Sequence, residues 1–238
     1  MKIFELEIPR LRYSQFFKEI THHLTSKKQS RALTVCTPNP EICLKTLEDR
    51  EFLALLTSSD YLTSDGIGLY LGYQIMDNSH GKLWNILLLP KYIFKILFFK
   101  TLLYEQYGDR ICGSDITDDL LNFCEQKGIH IAILDPSYPD DAAKCEAQES
   151  FHANLAKHFP YLHFEMYVYS EDNKDIILKK IAKSEAQVLF STLGMKKQEQ
   201  SIFEAIKICP DIKLALGVGS SFDYFIGFQK RAPHIWRQ

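Results

Sequence analysis

The sequence lacks the spacings of cysteine and histidine that are typical of a structural zinc site. It holds six cysteines and eight histidines, but no two cysteines stand at C-x-x-C spacing. H-E-x-x-H and D-x-D signatures are missing too, so no metal site is predicted. Some cysteines lie among apolar residues, which is typical of reduced core thiols in a cytosolic protein: Cys36, Cys43, Cys124 and Cys209.

The sequence also lacks an excess of charge of either sign. Its formal net charge is −2, so no nucleic-acid partner is predicted from the overall charge. The first seven residues show neither the basic start nor the apolar run of a signal peptide, and a cytoplasmic location is therefore expected. Low-complexity linkers and internal repeats are absent, and 46% hydrophobic residues are enough for a globular core.

What the sequence does contain is a regular alternation of apolar strands and amphipathic helices. This pattern predicts an α/β fold, a Rossmann-like parallel sheet with helices on both faces. Ligands bind such sheets at the carboxyl ends of the strands. Polar or glycine-rich turns follow four of the predicted strands at these ends: Thr37, Leu134-Asp135, Leu193-Gly194 and Gly217-Val218-Gly219.

An apolar helical insertion is predicted at about residues 77–109. Its central stretch, residues 83–104, carries three lysines and no acidic residue, and Pro90 is expected to kink or split it. A helix that is apolar nearly all round is either buried, in the core or in an oligomer interface, or faces lipid. Both alternatives stay open, namely a core helix or homo-oligomer contact and a membrane-surface element.

Several turn residues have both a structural and a chemical interpretation. Asp65 in D-G-I-G can act as a general base, but Asp-Gly is also a common turn. Thr37 and Asn39 stand at a helix start, which Asn39 and Pro40 favour as cap and first residue. The stretch Gly194–Glu199 opens a helix where N–H groups and two lysines could hold a diphosphate, or where the helix is simply capped.

Six motifs in this order resemble those of the WecG/TagA/CpsF glycosyltransferase family. Each motif alone is weak, but together they cover the chain from about residue 30 to its end. They are T-P-N-P-E (Thr37 to Glu41), S-D-G-I-G (Ser64 to Gly68), R-I-C-G-S-D (Arg110 to Asp115), G-M-K-K-Q-E (Gly194 to Glu199), G-V-G-S-S-F-D-Y-F-I-G (Gly217 to Gly227) and R-A-P-H-I-W (Arg231 to Trp236).

The resemblance implies one glycosyltransferase domain over residues 1–238. Its activity would be an inverting transfer, without metal or cofactor, of an N-acetylmannosamine-type sugar from a UDP donor. The acceptor would be a polyprenyl-diphosphate-linked N-acetylglucosamine at the inner face of the cell membrane. The product would enter teichoic acid or another cell-surface polysaccharide, and the protein would be peripherally associated with the membrane.

The resemblance also implies the site residues. Asp65 would be the base that takes the proton of the acceptor hydroxyl, and Thr37 and Asn39 would line the sugar pocket. Arg110 and Gln198 would contact the donor or the leaving group. The nucleotide site would be formed by the remaining matched positions: Gly194, Lys197, Gly217, Gly219 and Asp223.

Three departures from the family pattern carry expectations of their own. Lys196 replaces the usual proline before K-Q-E, and Asp135 stands in a turn that is usually glycine-rich, where an acid would disfavour a phosphate. Family members usually continue into a basic C-terminal segment that docks on the membrane. Our hypothesis is that residues 83–104 take this role here. The alternatives are a nucleotide-dependent oxidoreductase, which the incomplete glycine fingerprint disfavours, and an inactive relative that binds lipid or a partner.

Overall fold

The computed structural model describes residues 1–27, 31–77, 81–138 and 141–222. The chain divides into two compact units. The first holds the N-terminal residues and Leu33–Cys112, and the second holds the chain from Gly113 onward together with the short segment before Leu33. The prediction of a single glycosyltransferase domain remains a prediction.

The first unit begins with a two-stranded antiparallel hairpin and a helix. Strands β1 (Lys2–Ile3) and β2 (Leu6–Glu7) pair through Ile3 and Leu6, and helix α1 spans Tyr13–Thr25. The buried side chains of α1 recur every four residues, so that one stripe of the helix faces the core: Phe16, Ile20 and Leu24.

Two parallel strands carry the first two sequence motifs. Strand β3 (Leu33–Cys36) pairs with β4 (Tyr61–Leu62), with Val35 opposite Tyr61. Helices α2 (Pro40–Lys45) and α3 (Arg50–Thr57) connect them, and each has a side-chain cap. A turn that contains Asp65 separates β4 from helix α4 (Gly68–Asp77). Asn39 caps α2 with Pro40 as its first residue, which confirms the predicted helix start.

The apolar stretch forms two helices, α5 (Lys82–Phe98) and α6 (Lys100–Tyr107). Helix α5 continues through Pro90, so of the expected kink or split at this residue the split does not occur. The break instead lies at Phe99, whose φ of −130° and ψ of 41° are not helical. A proline removes only one backbone donor, and the carbonyl that it releases belongs to exposed Ile86, where water can replace the lost bond. Among the described residues, no helix is both long and apolar enough to cross a membrane.

The second unit alternates helices and strands, as the sequence pattern predicts. Its elements in chain order are α7 (Gly113–Lys127), β5 (Ile131–Pro136), α8 (Ala142–His158), β6 (Phe164–Tyr169), α9 (Lys174–Ile181), β7 (Val188–Ser191), α10 (Lys197–Ile208) and β8 (Leu214–Gly217). The strands pair in parallel in the order β8-β7-β5-β6. Every residue of β7 and β8 is buried, as expected of parallel strands with helices on both faces. The α/β, Rossmann-like class is therefore confirmed.

Candidate active site

In the first unit, the T-P-N-P-E and S-D-G-I-G motifs lie against each other. The Thr63 N–H donates to the carbonyl oxygen of Cys36 at 3.0 Å, and the Asp65 N–H donates to that of Pro38 at 3.1 Å. These bonds extend the β3–β4 pairing past the ends of both strands. Gly68 approaches Pro40 so closely that an added Cβ would lie 2.8 Å from the ring Cγ atom. The two turns at neighbouring strand ends thus form one packed structure.

Asp65 is half-buried and follows an anchored residue. The Ser64 side chain is buried, and its Oγ lies 3.0 Å from the Tyr73 hydroxyl. Burial raises the pKa of Tyr73 to about 12, with the Ser64 hydrogen bond acting in the opposite direction, so the phenol stays protonated at neutral pH. After Asp65, Gly66 takes a φ of +91°, a left-handed value that favours glycine. Asp65 thus lies where the chain turns from β4 toward α4, with its backbone anchored on both sides.

Asn39 and Thr37 occupy the facing turn. The Asn39 Oδ1 atom accepts the N–H of Ile42 at 2.9 Å, which satisfies one of the open donors at the start of α2. This cap uses only the oxygen of the amide, so Nδ2 can still donate to a ligand. Thr37 follows β3 directly and is only 5% exposed. The helix-start interpretation of Asn39 is therefore confirmed, whereas its predicted role in a sugar pocket is untested.

Arg110 is brought next to the same turn through its neighbour Ile111. The Ile111 N–H donates to the Ser64 carbonyl at 3.1 Å, and the Ile111 carbonyl accepts the Thr63 hydroxyl at 3.0 Å. The Arg110 guanidinium donates to the Tyr104 hydroxyl. Burial raises the pKa of Tyr104, and the guanidinium opposes that rise. Thr37, Asn39 and Asp65 thus lie in adjoining turns at the carboxyl ends of β3 and β4, and the backbone next to Arg110 is hydrogen-bonded to the second of these turns.

In the second unit, a turn that contains Gly194 connects β7 to α10. Gly194 has a φ of +81° and Lys196 a φ of +67°, so the chain takes two left-handed positions before the helix begins. The Gln198 N–H donates to the Gly194 carbonyl at 2.9 Å. Lys197 is exposed at the first position of α10, where helix N–H groups and a cation can attract an anion.

The side chain of Gln198 connects this turn to the one that follows β8. Its Oε1 atom accepts the Gly219 N–H at 2.9 Å, and its Nε2 atom donates to Glu199 Oε1 at 2.7 Å. Gly217 leaves room for it, because a Cβ there would lie 3.2 Å from three of its atoms. Gln198 is 2% exposed, and both ends of its amide are engaged within the protein. Its predicted contact with the donor stays a prediction.

Two buried acids accompany these turns. Glu199 is fully buried, burial raises the pKa of its carboxyl group, and the Gln198 hydrogen bond acts against this rise. Its Oε2 atom has no hydrogen-bond partner among the described residues. Asp135 accepts the Thr192 hydroxyl at 2.7 Å and the Gln148 amide, and burial raises the pKa of its carboxyl group as well. The Asp135 charge is thus held by two donors inside the protein.

A cavity of about 280 Å³ opens at the carboxyl ends of β5 and β6. Lys197 and Leu193 line it from the α10 side. Its other lining residues are not among the predicted site residues, although their positions at or just after strand ends are a usable signal: Pro136, Ser137, Tyr169, Ser170 and Glu171. The cavity lies where parallel sheets bind ligands.

Some predicted site residues lie outside the described part of the chain. These are Asp223, the rest of the motif that ends at Gly227, and the R-A-P-H-I-W motif. Within residues 1–27, 31–77, 81–138 and 141–222, no group of three or more His, Cys, Asp or Glu residues is arranged to hold a metal ion.

Comparisons with known proteins match nearly the whole chain to one family. A model described as the glycosyl transferase WecG/TagA/CpsF family matches residues 1–94 and 87–238. Three similar proteins share the name N-acetylglucosaminyldiphosphoundecaprenol N-acetyl-beta-D-mannosaminyltransferase.

The Bacillus subtilis protein is 25% identical over 207 residues, which are 86% of this chain and 67% of the relative. The Bacillus spizizenii protein is 28% identical over 210 residues, or 87% and 68% of the two chains. The Staphylococcus aureus protein is 23% identical over 219 residues, or 90% and 70%. These matches confirm the resemblance drawn from the six motifs and favour a transferase over an oxidoreductase.

Proposed function

Because the chain belongs to the WecG/TagA/CpsF family of glycosyl transferases, we propose that it transfers N-acetylmannosamine from a UDP donor. The proposed acceptor is N-acetylglucosamine linked through a diphosphate to a polyprenol, and the product feeds a cell-surface polymer such as teichoic acid. The reaction takes place at the cytoplasmic face of the cell membrane. The observation that carries this proposal is that three relatives, matched over 86–90% of this chain, share one activity in their names.

Asp65 is the general base of the proposed reaction. The acceptor hydroxyl gives its proton to the Asp65 carboxylate as its oxygen forms a bond to the anomeric carbon of the donor. The bond from that carbon to the diphosphate breaks in the same step, and UDP leaves with the electron pair. A single displacement of this kind inverts the anomeric centre. The hydrogen bond of the Asp65 N–H to Pro38 and the close approach of Gly68 to Pro40 support this role, since a base must be held in a fixed position.

The sugar needs neutral hydrogen-bond partners, whereas the diphosphate leaving group needs positive charge. The Asn39 Nδ2 amide and the Thr37 hydroxyl supply neutral hydrogen bonds for sugar hydroxyl and acetamido groups. Arg110 supplies a fixed positive charge for the donor.

In the second unit, the N-terminus of α10, the Gly194 turn and the Lys197 ammonium group can meet diphosphate charge without a metal ion. Gln198 holds the Gly219 turn in place beside this region, and Gly217 makes that contact sterically feasible. Metal independence is accordingly part of the proposal.

A transfer assay with defined substrates tests the proposal. Purified protein receives UDP-N-acetylmannosamine and a polyprenyl-diphosphate N-acetylglucosamine in detergent, with and without EDTA, and the lipid product is separated and its anomeric configuration determined. We expect a β-linked disaccharide lipid at an unchanged rate in EDTA. UDP-N-acetylglucosamine as donor is the matched control and should give little product.

Two outcomes would count against the proposal. If EDTA abolishes transfer and added Mg²⁺ restores it, the proposed metal independence is wrong but the proposed transferase activity stands. Absence of both transfer and UDP hydrolysis with every N-acetylhexosamine donor would favour an inactive relative. Titration with UDP and with NAD separates the transferase from a dinucleotide-dependent enzyme, because only UDP should bind.

A further inference from the structure

Among the described side chains of helices α5 and α6, only a narrow stripe is buried. Tyr92 and Ile96 of α5 and Leu103 and Tyr107 of α6 are the buried residues, at i, i+4 spacing in each helix. Tyr107 stacks on Tyr73 of α4 with ring centroids 5.4 Å apart. Each of the two helices thus packs on α4 with one side only. Burial in the protein core, one of the alternatives raised by the sequence, does not account for the rest of their surface.

The remaining surface exposes large apolar side chains in unusual density. Trp84, Ile86, Leu87 and Phe98 are each more than 60% exposed, and Phe94 and Leu102 more than 50%. A surface of this kind on a globular protein usually marks a contact with another body. We call the outward surface of residues 84–102 the α5–α6 face.

Two positive charges on this face, those of Lys91 and Lys95, lie within the apolar surface. Lys91 and Lys95 are exposed at i, i+4 on α5, and Lys100 starts α6. No acidic residue occurs between Lys82 and Tyr104. Lys91 and Lys95 line a groove of about 510 Å³ whose other walls are mostly apolar, including Phe94, Phe99 and Leu102.

We propose that the α5–α6 face docks the protein on the surface of an anionic lipid bilayer. The apolar side chains enter the boundary between headgroups and acyl chains, and the lysines meet lipid phosphates at the same level. Exposed tryptophan, phenylalanine and lysine are the side chains that suit this boundary. This inference rests on the proposed function in one respect, because a lipid-linked acceptor lies in a membrane.

The charge pattern favours lipid over a second copy of the chain. A two-fold contact would place the same surface against itself and bring the lysine-rich groove toward its own copy. No acidic residue on the face could pair with those lysines. An anionic bilayer supplies the missing negative charge, at about 1 kcal/mol for each Lys or Arg near its surface.

Vesicle sedimentation with the full chain tests the docking. The vesicles contain phosphatidylcholine alone or with about one third phosphatidylglycerol and carry no acceptor, so the result does not depend on transfer. We expect binding to the anionic vesicles. The double variant Lys91→Glu/Lys95→Glu should bind at least about tenfold more weakly, since each substitution removes a charge that attracts the lipid phosphates and adds one that they repel. Lys179→Glu/Lys180→Glu changes the net charge equally on exposed α9 positions and should bind like the wild type.

A second measurement leaves the face unmutated and so avoids any effect on folding. In a Trp236→Phe variant, Trp84 is the remaining tryptophan of the two in the chain. Brominated lipids should quench its fluorescence, and its emission should shift to the blue with anionic vesicles.

Three results would overturn the docking: equal binding to neutral and anionic vesicles, equal loss in the α9 control, or no quenching of Trp84. A concentration-dependent dimer that Phe98→Ser/Ile86→Ser abolishes, without vesicle binding by the wild type, would assign the face to self-association instead. If the protein binds anionic vesicles but transfers no sugar, the proposed activity is wrong and the docking proposal is retained. If transfer to a detergent-solubilised acceptor holds without vesicle binding, the activity stands and the docking fails.

Discussion

The backbone N–H of Asp65 donates to the carbonyl oxygen of Pro38, at 3.1 Å. This single bond joins two motifs that are separated by α2, α3 and β4 in the sequence. It also fixes the backbone of Asp65 relative to the Thr37–Asn39 turn, and the proposed catalytic role depends on this placement. The first predictions concern what holds this pair of turns together.

Gly68→Ala should destabilise the fold and lower the activity. An added Cβ would lie 2.8 Å from the Pro40 ring, and neither backbone nor ring can move away easily. Overpacking costs about 1–3 kcal/mol, and the usual gain from replacing a glycine in the middle of a helix is small here because Gly68 is the first residue of α4. We expect a net loss of about 1–2 kcal/mol in the free energy of unfolding, measured by urea denaturation.

Gly72→Ala in the same helix is the matched control. Its Cβ would meet only the flexible end of Ile3, at 3.2 Å, so stability should stay level or rise slightly. Equal losses in the two variants would show that α4 as a whole, not the contact with Pro40, is the sensitive feature.

Asn39→Asp should separate the capping role of Asn39 from its role toward a ligand. Aspartate keeps the oxygen that accepts the Ile42 N–H, so the free energy of unfolding should change by less than about 0.5 kcal/mol. It loses the Nδ2 donor, so KM for the donor sugar should rise if that group lines the sugar pocket. Asn39→Ala removes both and should cost about 1 kcal/mol of stability as well. Normal KM in the aspartate variant would limit Asn39 to capping.

Lys196→Pro should destabilise the turn before α10, although proline is usual at this position among the sequences that this chain resembles. The observed φ of +67° is incompatible with the value near −65° that the proline ring imposes. We expect a loss of more than about 1 kcal/mol in unfolding free energy. Lys196→Gly removes the side chain but permits the left-handed φ, so it should be neutral or stabilising. A stable proline variant would mean that the turn can take a second conformation.

Glu199 should make stability depend on pH in a defined direction. Burial raises the pKa of its carboxyl group in the folded state, so the folded protein holds this proton more tightly than the unfolded chain. Its contribution is therefore most favourable below the unfolded value of about 4.5 and is lost as pH rises through the raised folded value.

Glu199→Gln carries no titrating group, so its unfolding free energy should fall less than that of the wild type as pH rises from 4 to 8. Asp135 shifts in the same direction in both proteins, and its effect cancels in the difference. Parallel pH profiles for the variant and the wild type would contradict the assignment to Glu199.

Local signals were predictable from the sequence. The Asn39-Pro40 helix start and the α/β alternation both depend on residues close together in the chain, and both are confirmed. The split at Pro90 does not occur, because one lost backbone donor does not end a helix whose neighbouring turns keep their hydrogen bonds. The hydrophobic pattern did not predict where α7 begins and ends, because polar residues dominate its first two turns and its apolar residues are few there.

Long-range relationships were not predictable from the residues alone. The bond of Gln198 to Gly219 spans 21 positions and depends on the order of β7 and β8 in the sheet, which no local pattern encodes. Tyr169 reaches the cavity only because β6 pairs with β5 in a particular register. The site motifs were recognised through their order along the chain, whereas their contacts required the fold.

The role of Asp65 can be tested most directly with Asp65→Asn, which keeps the shape of the side chain and removes its basicity. Transfer from UDP-N-acetylmannosamine to the lipid-linked acceptor is measured beside UDP affinity, with Glu41→Gln as an exposed control in the facing motif. We predict a fall in kcat of about 10²–10⁴-fold, the usual contribution of a general base, with UDP affinity unchanged and the control fully active. A kcat within about threefold of the wild type would contradict Asp65 as the base.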